Sequence, residues 1–155
     1  IWPQKYFSLL ADKLIEKKFA KTIFVINSQD HVNYFENVVI NSKNKEDFID
    51  CKKFNRSEII NIIDFCEYFV GIDSGPSCVA GALQKKTFCI FGATDATLPQ
   101  FKSMIKIKSK NYTDDREIGI KRCGDNFAQD NTEVMTIKVE DVYDTIKLKL
   151  KENIN

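Results

Sequence analysis

The chain has 155 residues, with 23 Lys and Arg against 22 Asp and Glu, so its formal net charge is +1. Proteins that bind nucleic acid through electrostatics carry a clear basic excess, and this near-balance argues against that class. A hydrophobic fraction of 43% with 29% charged residues is typical of one globular domain and not of a disordered chain. No apolar run reaches the roughly 20 residues that a membrane-spanning helix needs.

The cysteine pattern argues against a metal site. The five cysteines include no C-x-x-C pair, and the chain has one histidine, so a zinc site of the usual Cys/His type is not expected. Most of the cysteines lie in apolar stretches, where a free thiol behaves as a small hydrophobic side chain. We therefore expect reduced, structural cysteines inside the cell.

Helical and strand patterns alternate in the first third of the sequence. The apolar positions of residues 3–18 recur at the spacing of an amphipathic helix. The continuous apolar, β-branched run at 22–26 is typical of a strand covered on both faces. The predicted elements are a helix at 3–18, a strand at 22–26, a turn at 28–30, a helix at 31–39, a polar connection at 41–46 and a strand at 48–51.

The alternation continues through the rest of the chain. Asn55 and Glu58 have the spacing of a capping box and predict a helix that begins there. Lysines alternate with isoleucines at 104–108, as in an edge strand. The other predicted elements are strands at 69–72 and 87–91, a helix rich in small residues at 76–85, an irregular polar stretch at 111–131 and a helix at 140–151.

This order of elements predicts an α/β fold: a Rossmann-like parallel sheet with helices on both faces. In such sheets ligands bind beyond the carboxyl ends of the strands. Two of the predicted strand ends, at 73–77 and at 92–95, combine glycine with acidic and hydroxyl side chains that can bind a ligand. We therefore expect the functional site at these two turns.

The turn at 73–77 combines an acid, a glycine and a proline. We expect Gly75 to permit a tight or left-handed backbone, Ser74 to cap the following helix and Pro76 to lie in its first turn. The amides of that turn would bind a phosphate or another oxygen-rich ligand, while the Asp73 carboxylate would accept hydrogen bonds from sugar hydroxyls. The alternative is that Asp73 and Ser74 only cap the helix.

Two stretches, VGIDSGPSCVAGAL at 70–83 and FGATD at 91–95, resemble the signature of glycosyltransferase family 9. The family includes the heptosyltransferases of lipopolysaccharide core assembly. Its pattern is D-[ST]-G-[PL]-S-H, a helix of small residues, an apolar strand and a G-P-T-D turn. Trp2 and Pro3 resemble the W-P opening of a family helix, and the last predicted helix resembles the family's C-terminal helix.

The resemblance implies that residues 1–155 are the C-terminal, donor-binding half of a two-domain GT-B enzyme, and we expect the chain to be a piece of a longer protein. The donor would be a nucleotide-sugar, with ADP-heptose typical of the family. Cys78 stands where the family has a histidine. The donor-binding residues implied are Asp73, Ser74, Gly75, Pro76, Ser77, Cys78, Phe54, Asp30, Gly92 and Thr94.

Two of these residues have equally good alternative interpretations. Phe54 lies where the family lines its nucleobase pocket, but it also suits ordinary core packing. Asp30 lies near the position where the family often has an acid for the ribose, but it also suits a helix cap.

Enzymes of this family invert the anomeric centre by direct displacement and use neither a metal nor a cofactor other than the nucleotide-sugar substrate. Their general base comes from the N-terminal acceptor domain, which is absent here. The resemblance thus implies no catalytic residue in this chain and no sugar transfer by it alone. It also implies a glycolipid or glycan acceptor, and a cytoplasmic location that can extend to the inner face of the membrane.

Two other functions suit the same pattern. A nucleotide-sugar epimerase of the GT-B fold would release free nucleotide and an altered sugar with no acceptor present. A non-catalytic module of flavodoxin-like shape would bind a nucleotide or phosphate only.

Overall fold

The computed structural model describes residues 2–27, 33–92, 101–109 and 132–152, without the side chains of residues 132 and 133. The helices are α1 (Gln4–Glu16), α2 (Tyr34–Val39), α3 (Arg56–Phe65), α4 (Gly75–Ala82), α5 (Thr132–Thr136) and α6 (Val139–Lys151), with a 3-10 turn at Lys45–Asp47. The strands are β1 (Ile23–Val25), β2 (Phe48–Asp50), β3 (Tyr68–Ile72), β4 (Lys86–Phe91) and β5 (Met104–Lys108).

All described strand pairs are parallel, which confirms the predicted α/β fold. The strands form two sheets: β1 pairs with β2, and β3, β4 and β5 lie in that order in the second sheet. The central strand, β4, is buried along Phe88–Phe91, as its continuous apolar run predicts. β5 has the predicted bounds and lies at an edge of its sheet.

The chain divides into two compact units. The first comprises residues 1–2 and 63–137, and it contains the three-stranded sheet and α4. The second comprises residues 3–62 and 138–155, and it contains the two-stranded sheet, α1, α2 and α6.

A small apolar core holds the second unit together. α1 packs against α2 and α6, with its buried stripe at Leu10, Ala11 and Leu14, the positions that the helical spacing predicts. Ala11 joins one cluster with Val25 of β1 and Phe48 of β2. The core thus ties α1 to the two-stranded sheet.

A buried carboxylate fixes the connection after α2 to α1. Asp12 is 5% exposed. It accepts hydrogen bonds from Ser42 Oγ (2.6 Å), the amide of Lys43 (3.0 Å) and Asn44 Nδ2 (2.9 Å). Burial acts to raise the pKa of Asp12, but the hydrogen bonds outweigh it and hold the pKa below its ordinary value of 3.8.

The start of α3 follows the predicted capping box. The amide of Asn55 donates to Glu58 Oε2 (2.7 Å), and the amide of Glu58 donates to Asn55 Oδ1 (3.1 Å). α5 has no counterpart among the predicted elements, because its five residues are too few for a helical period to show.

The first unit depends on close contacts at small residues. A Cβ atom at Gly81 of α4 would lie 2.6 Å from Cδ2 of Phe101, and Ser103 Oγ donates to the Gly81 carbonyl (3.1 Å). The small residues of α4 therefore permit the predicted close approach of a neighbouring segment.

At the start of the chain, Trp2 is fully buried, and its indole Nε1 donates to the carbonyl of Ile137 (2.9 Å).

None of the described helices has the length and apolar character that a membrane span requires.

Candidate functional site

The turn between β3 and α4 lies at the carboxyl edge of the three-stranded sheet. Ile72, the last residue of β3, pairs with Ile90 of β4. Asp73 therefore leaves the sheet beside the strand that ends at Phe91, one residue before Gly92. The two predicted strand ends thus meet at one edge, where ligands bind in parallel sheets. Pro76 lies in the first turn of α4, as expected.

Ser74 does not cap α4 through its side chain, so that prediction was wrong. Ser74 occupies the N-cap position with extended backbone (φ −163°, ψ 166°), but its hydroxyl makes no capping hydrogen bond. It donates instead to the carbonyl of Ile72 (3.1 Å). The physical reason is local: Pro76 has no N–H for a cap to bind, while the carbonyl at the strand end lies within reach.

Ser77 lies beneath this turn. It is fully buried, its hydroxyl donates to the same Ile72 carbonyl, and its Oγ lies 3.3 Å from Ser74 Oγ. A Cβ atom at Gly71 would lie 3.0 Å from Ser77 Oγ and 2.7 Å from Cε1 of Phe69. The absence of a side chain at Gly71 therefore makes room for the Ser77 hydroxyl.

Gly75 is not left-handed, so of the two predicted backbone conformations, tight or left-handed, the left-handed one was wrong. None of the described glycines has a positive φ. A Cβ atom at Gly75 would meet no atom of the described residues within 4 Å, and the residue is exposed. Neither backbone conformation nor packing within the described chain requires a glycine here. Among the described residues, the side of Gly75 where a Cβ atom would lie is open and leaves room for a ligand.

The Asp73 carboxylate acts on two nearby thiols. Burial raises the pKa of Cys78, and the negative charge of Asp73 raises it further. Burial likewise raises the pKa of Cys89, in the central strand, to about 12, again with a contribution from Asp73. Cys78 is therefore a neutral thiol at pH 7. As such it is a weak hydrogen-bond donor.

The pH dependence of alkylation tests this arrangement. We expect Cys78 to react slowly with iodoacetamide at pH 8, with a rate that still rises above pH 9, because its pKa lies above the ordinary 9.0. Asp73→Asn removes the like charge, lowers that pKa and should raise the rate at pH 8 several-fold, as read by mass spectrometry of the alkylated peptide. Cys66 serves as the internal control, because its pKa is raised by burial and lowered by Lys85 with no contribution from Asp73. An unchanged Cys78 rate in Asp73→Asn would contradict the arrangement.

The remaining expected donor residues divide between the two units and the undescribed segments. Asp73–Cys78 and Gly92 belong to the first unit, whereas Phe54 belongs to the second. The Phe54 ring is half-buried and lies 5.4 Å from Lys53 Nζ. Asp30 and Thr94 lie outside the described residues. Within the described part of the chain, no three His, Cys, Asp or Glu residues form a group able to hold a metal ion.

Two features of this turn were not predicted from the sequence: the packing role of Gly71 and the hydrogen bonds to the Ile72 carbonyl. A signal was present: a glycine inside a strand pattern often marks a close approach of another group. Here the approaching group is the Ser77 hydroxyl.

Comparison with known proteins places these features in a family. The sequence matches the family model described as glycosyltransferase family 9 (heptosyltransferase) over residues 1–118, a range that includes the turn at 73–78 and Gly92. The chain belongs to glycosyltransferase family 9. No curated protein sequence matches it.

Three solved structures resemble this family 9 chain. E. coli ADP-heptose lps heptosyltransferase II superposes with a TM-score of 0.76 at 15% identity, over 99% of this chain and 43% of that one. A family 9 glycosyltransferase from Veillonella parvula superposes with a TM-score of 0.76 at 18% identity, over 97% of this chain and 42% of that one. E. coli heptosyltransferase WaaC with ADP-2-deoxy-2-fluoro heptose superposes with a TM-score of 0.67 at 15% identity, over 98% of this chain and 38% of that one. The chain thus spans less than half the length of each, and the likeness confirms the fold.

Proposed function

We propose that residues 1–155 are the donor-binding domain of an inverting, metal-independent glycosyltransferase. It would move a heptose or related sugar from a nucleotide-sugar to lipopolysaccharide or another surface glycan. The observation that carries this proposal is the turn between β3 and α4, where the exposed Gly75, the first residue of α4, lies two residues from the half-buried Asp73. Family membership supports it, as do the ADP-heptose and the ADP-2-deoxy-2-fluoro heptose named for two of the similar structures.

The two ends of the turn suit two parts of the donor. The Gly75 N–H and the positive end of the α4 dipole suit the diphosphate. The Asp73 carboxylate repels phosphate but accepts hydrogen bonds from hydroxyls, so it suits the sugar. Cys78, Gly92 and Thr94 would complete this part of the site.

In the proposed reaction an acceptor hydroxyl attacks the anomeric carbon as its bond to the diphosphate breaks, which inverts that centre. The hydroxyl proton goes to a general base outside this chain. The nucleoside diphosphate leaves with the bonding electrons, and the Gly75 amide and the α4 dipole stabilise the charge that develops on it. These groups supply that stabilisation without a metal.

The remainder of the protein would supply the base and bind the glycolipid or glycan acceptor. This chain alone would therefore transfer no sugar. The full-length enzyme would act in the cytoplasm, including at the inner face of the membrane where such an acceptor is presented.

Gly75→Ala tests the proposal in the full-length protein by calorimetric titration with ADP-, UDP- and GDP-sugars. We expect one class of nucleotide-sugar to bind the unmodified protein. The added methyl group should weaken that binding by roughly tenfold to a hundredfold, the value of a hydrogen bond to a charged group. The thermal midpoint should not fall, because the methyl group meets no described atom and alanine favours helix.

Gly81→Ala is the matched control, since it adds the same methyl group to the same helix. That methyl group would meet the Phe101 ring at 2.6 Å, so it should destabilise the fold by about 1–3 kcal/mol without blocking the donor. Nucleotide-sugar binding that Gly75→Ala leaves intact would contradict the proposal. Free nucleotide and altered sugar released without acceptor would instead indicate the epimerase.

A further inference from the structure

We propose that Ser77 is the positioning residue of the donor-binding turn: its buried hydroxyl fixes the carbonyl at the end of β3 and thereby sets the positions of Asp73 and the Gly75 amide. This inference rests on the proposed function. It gives Ser77 a role different from the direct donor contact implied by the family signature.

The burial of Ser77 argues against a direct contact with the donor. The residue is fully buried, and its hydroxyl donates to Ile72. Asp73, Ser74 and Gly75 all lie between these two residues in the chain. The Ser77 hydroxyl therefore closes a short loop around the segment that would bind the donor.

Ser74 strengthens the same closure. Its hydroxyl donates to the Ile72 carbonyl and lies 3.3 Å from Ser77 Oγ. Ser74 is half-buried whereas Ser77 is fully buried. Because a hydrogen bond is stronger away from water, Ser77 should contribute more to the closure.

Gly75 is an independent indication that the closed segment serves a ligand. Its backbone is not left-handed, and the space beside it is empty among the described residues. A turn of purely structural purpose would gain from alanine at that helical position. The glycine is explained if a group outside the chain approaches its amide, and such an approach needs the turn held in one position.

The test measures how Ser77→Ala in the full-length protein changes the affinity for each part of the ligand. Dissociation constants are measured for the nucleotide-sugar that binds best, its nucleoside diphosphate and its nucleoside. We expect the first two to bind at least about tenfold more weakly, the effect of losing one charge-assisted hydrogen bond. The nucleoside has no diphosphate or sugar for the turn to hold, so its affinity should not change. Ser74→Ala should show the same pattern with a smaller loss.

Ser8→Ala is the matched control, because Ser8 is also a fully buried helical serine, yet its hydroxyl has no hydrogen-bond partner among the described residues. It should leave all three affinities unchanged. Should Ser77→Ala not fold, Ser77→Cys has nearly the same shape with a weaker donor and should give an intermediate loss.

The outcomes separate the inference from the proposed function. If Ser77→Ala weakened the binding of nucleoside and of nucleoside diphosphate equally, the role of Ser77 would be overturned although the protein still bound its donor. The same would follow if neither serine variant lost any affinity. An unmodified protein that binds no nucleotide-sugar would overturn the proposed function, and this inference with it.

Discussion

Replacing Trp2 by alanine is expected to lower the free energy of unfolding by about 3–5 kcal/mol, the range for truncating a fully buried aromatic side chain. Trp2 is fully buried and its indole Nε1 donates to the Ile137 carbonyl at 2.9 Å. Truncation would remove the largest of the fully buried side chains and leave that carbonyl without its donor. Urea unfolding followed by far-ultraviolet circular dichroism measures the change.

Trp2→Phe separates the ring from the hydrogen bond. Phenylalanine retains an aromatic ring but has no N–H, so it should cost about 1–3 kcal/mol, less than alanine. Leu9→Ala is the exposed control, because Leu9 is 40% exposed and should cost much less. A Trp2→Ala protein as stable as the unmodified one would show that the segment before α1 is not anchored.

Asp12→Ala is expected to destabilise the protein by about 3 kcal/mol. The loss of stability is this large because the carboxylate accepts several hydrogen bonds, and its removal leaves buried donors unpaired. The affected donors belong to Ser42, Lys43 and Asn44, and two of them, the amides of Lys43 and Asn44, are backbone groups that no change of rotamer can turn away. Urea unfolding at pH 7 measures the effect.

The same carboxylate should make stability depend on pH in a stated direction. The pKa of Asp12 lies lower in the folded than in the unfolded chain, so the unfolded chain takes up the proton first as the pH falls. The stabilisation is complete above the ordinary value of 3.8 and is lost as the pH falls through the folded pKa. The stability difference between the unmodified protein and Asp12→Asn should therefore shrink below that value.

Glu140→Gln is the control for this pH series. Hydrogen bonding to Lys13 lowers the pKa of Glu140 too, but the side chain is 69% exposed. Solvent screens exposed ion pairs, so this substitution should barely change stability at any pH. A difference between unmodified protein and Asp12→Asn that is constant from pH 7 to pH 3 would contradict the role of Asp12.

Local patterns predicted much of the fold. The bounds of β5 and the capping box at Asn55 and Glu58 agree with the structure, because each depends on residues only a few positions apart. The parallel pairing also follows from the alternation of elements. The division of the strands into two sheets did not follow, because it depends on contacts between distant segments.

The candidate turn was located correctly between β3 and α4, but two of its details were not. The hydroxyl of Ser74 donates to the Ile72 carbonyl and does not cap the helix amides, because the end of the strand places that carbonyl oxygen within its reach. Gly75 has an ordinary backbone, so its freedom to adopt a left-handed conformation is not used. The sequence shows which side chains are available but not which of several nearby partners each one takes.

Nuclear magnetic resonance can follow the Gly75 amide directly while a nucleotide-sugar is added to the full-length protein labelled with ¹⁵N-glycine. We expect a large, saturable shift of the Gly75 signal that tracks binding, while the signal of Gly81, buried in the same helix, moves little. Saturable binding of the donor with the Gly75 signal unmoved would contradict this expectation.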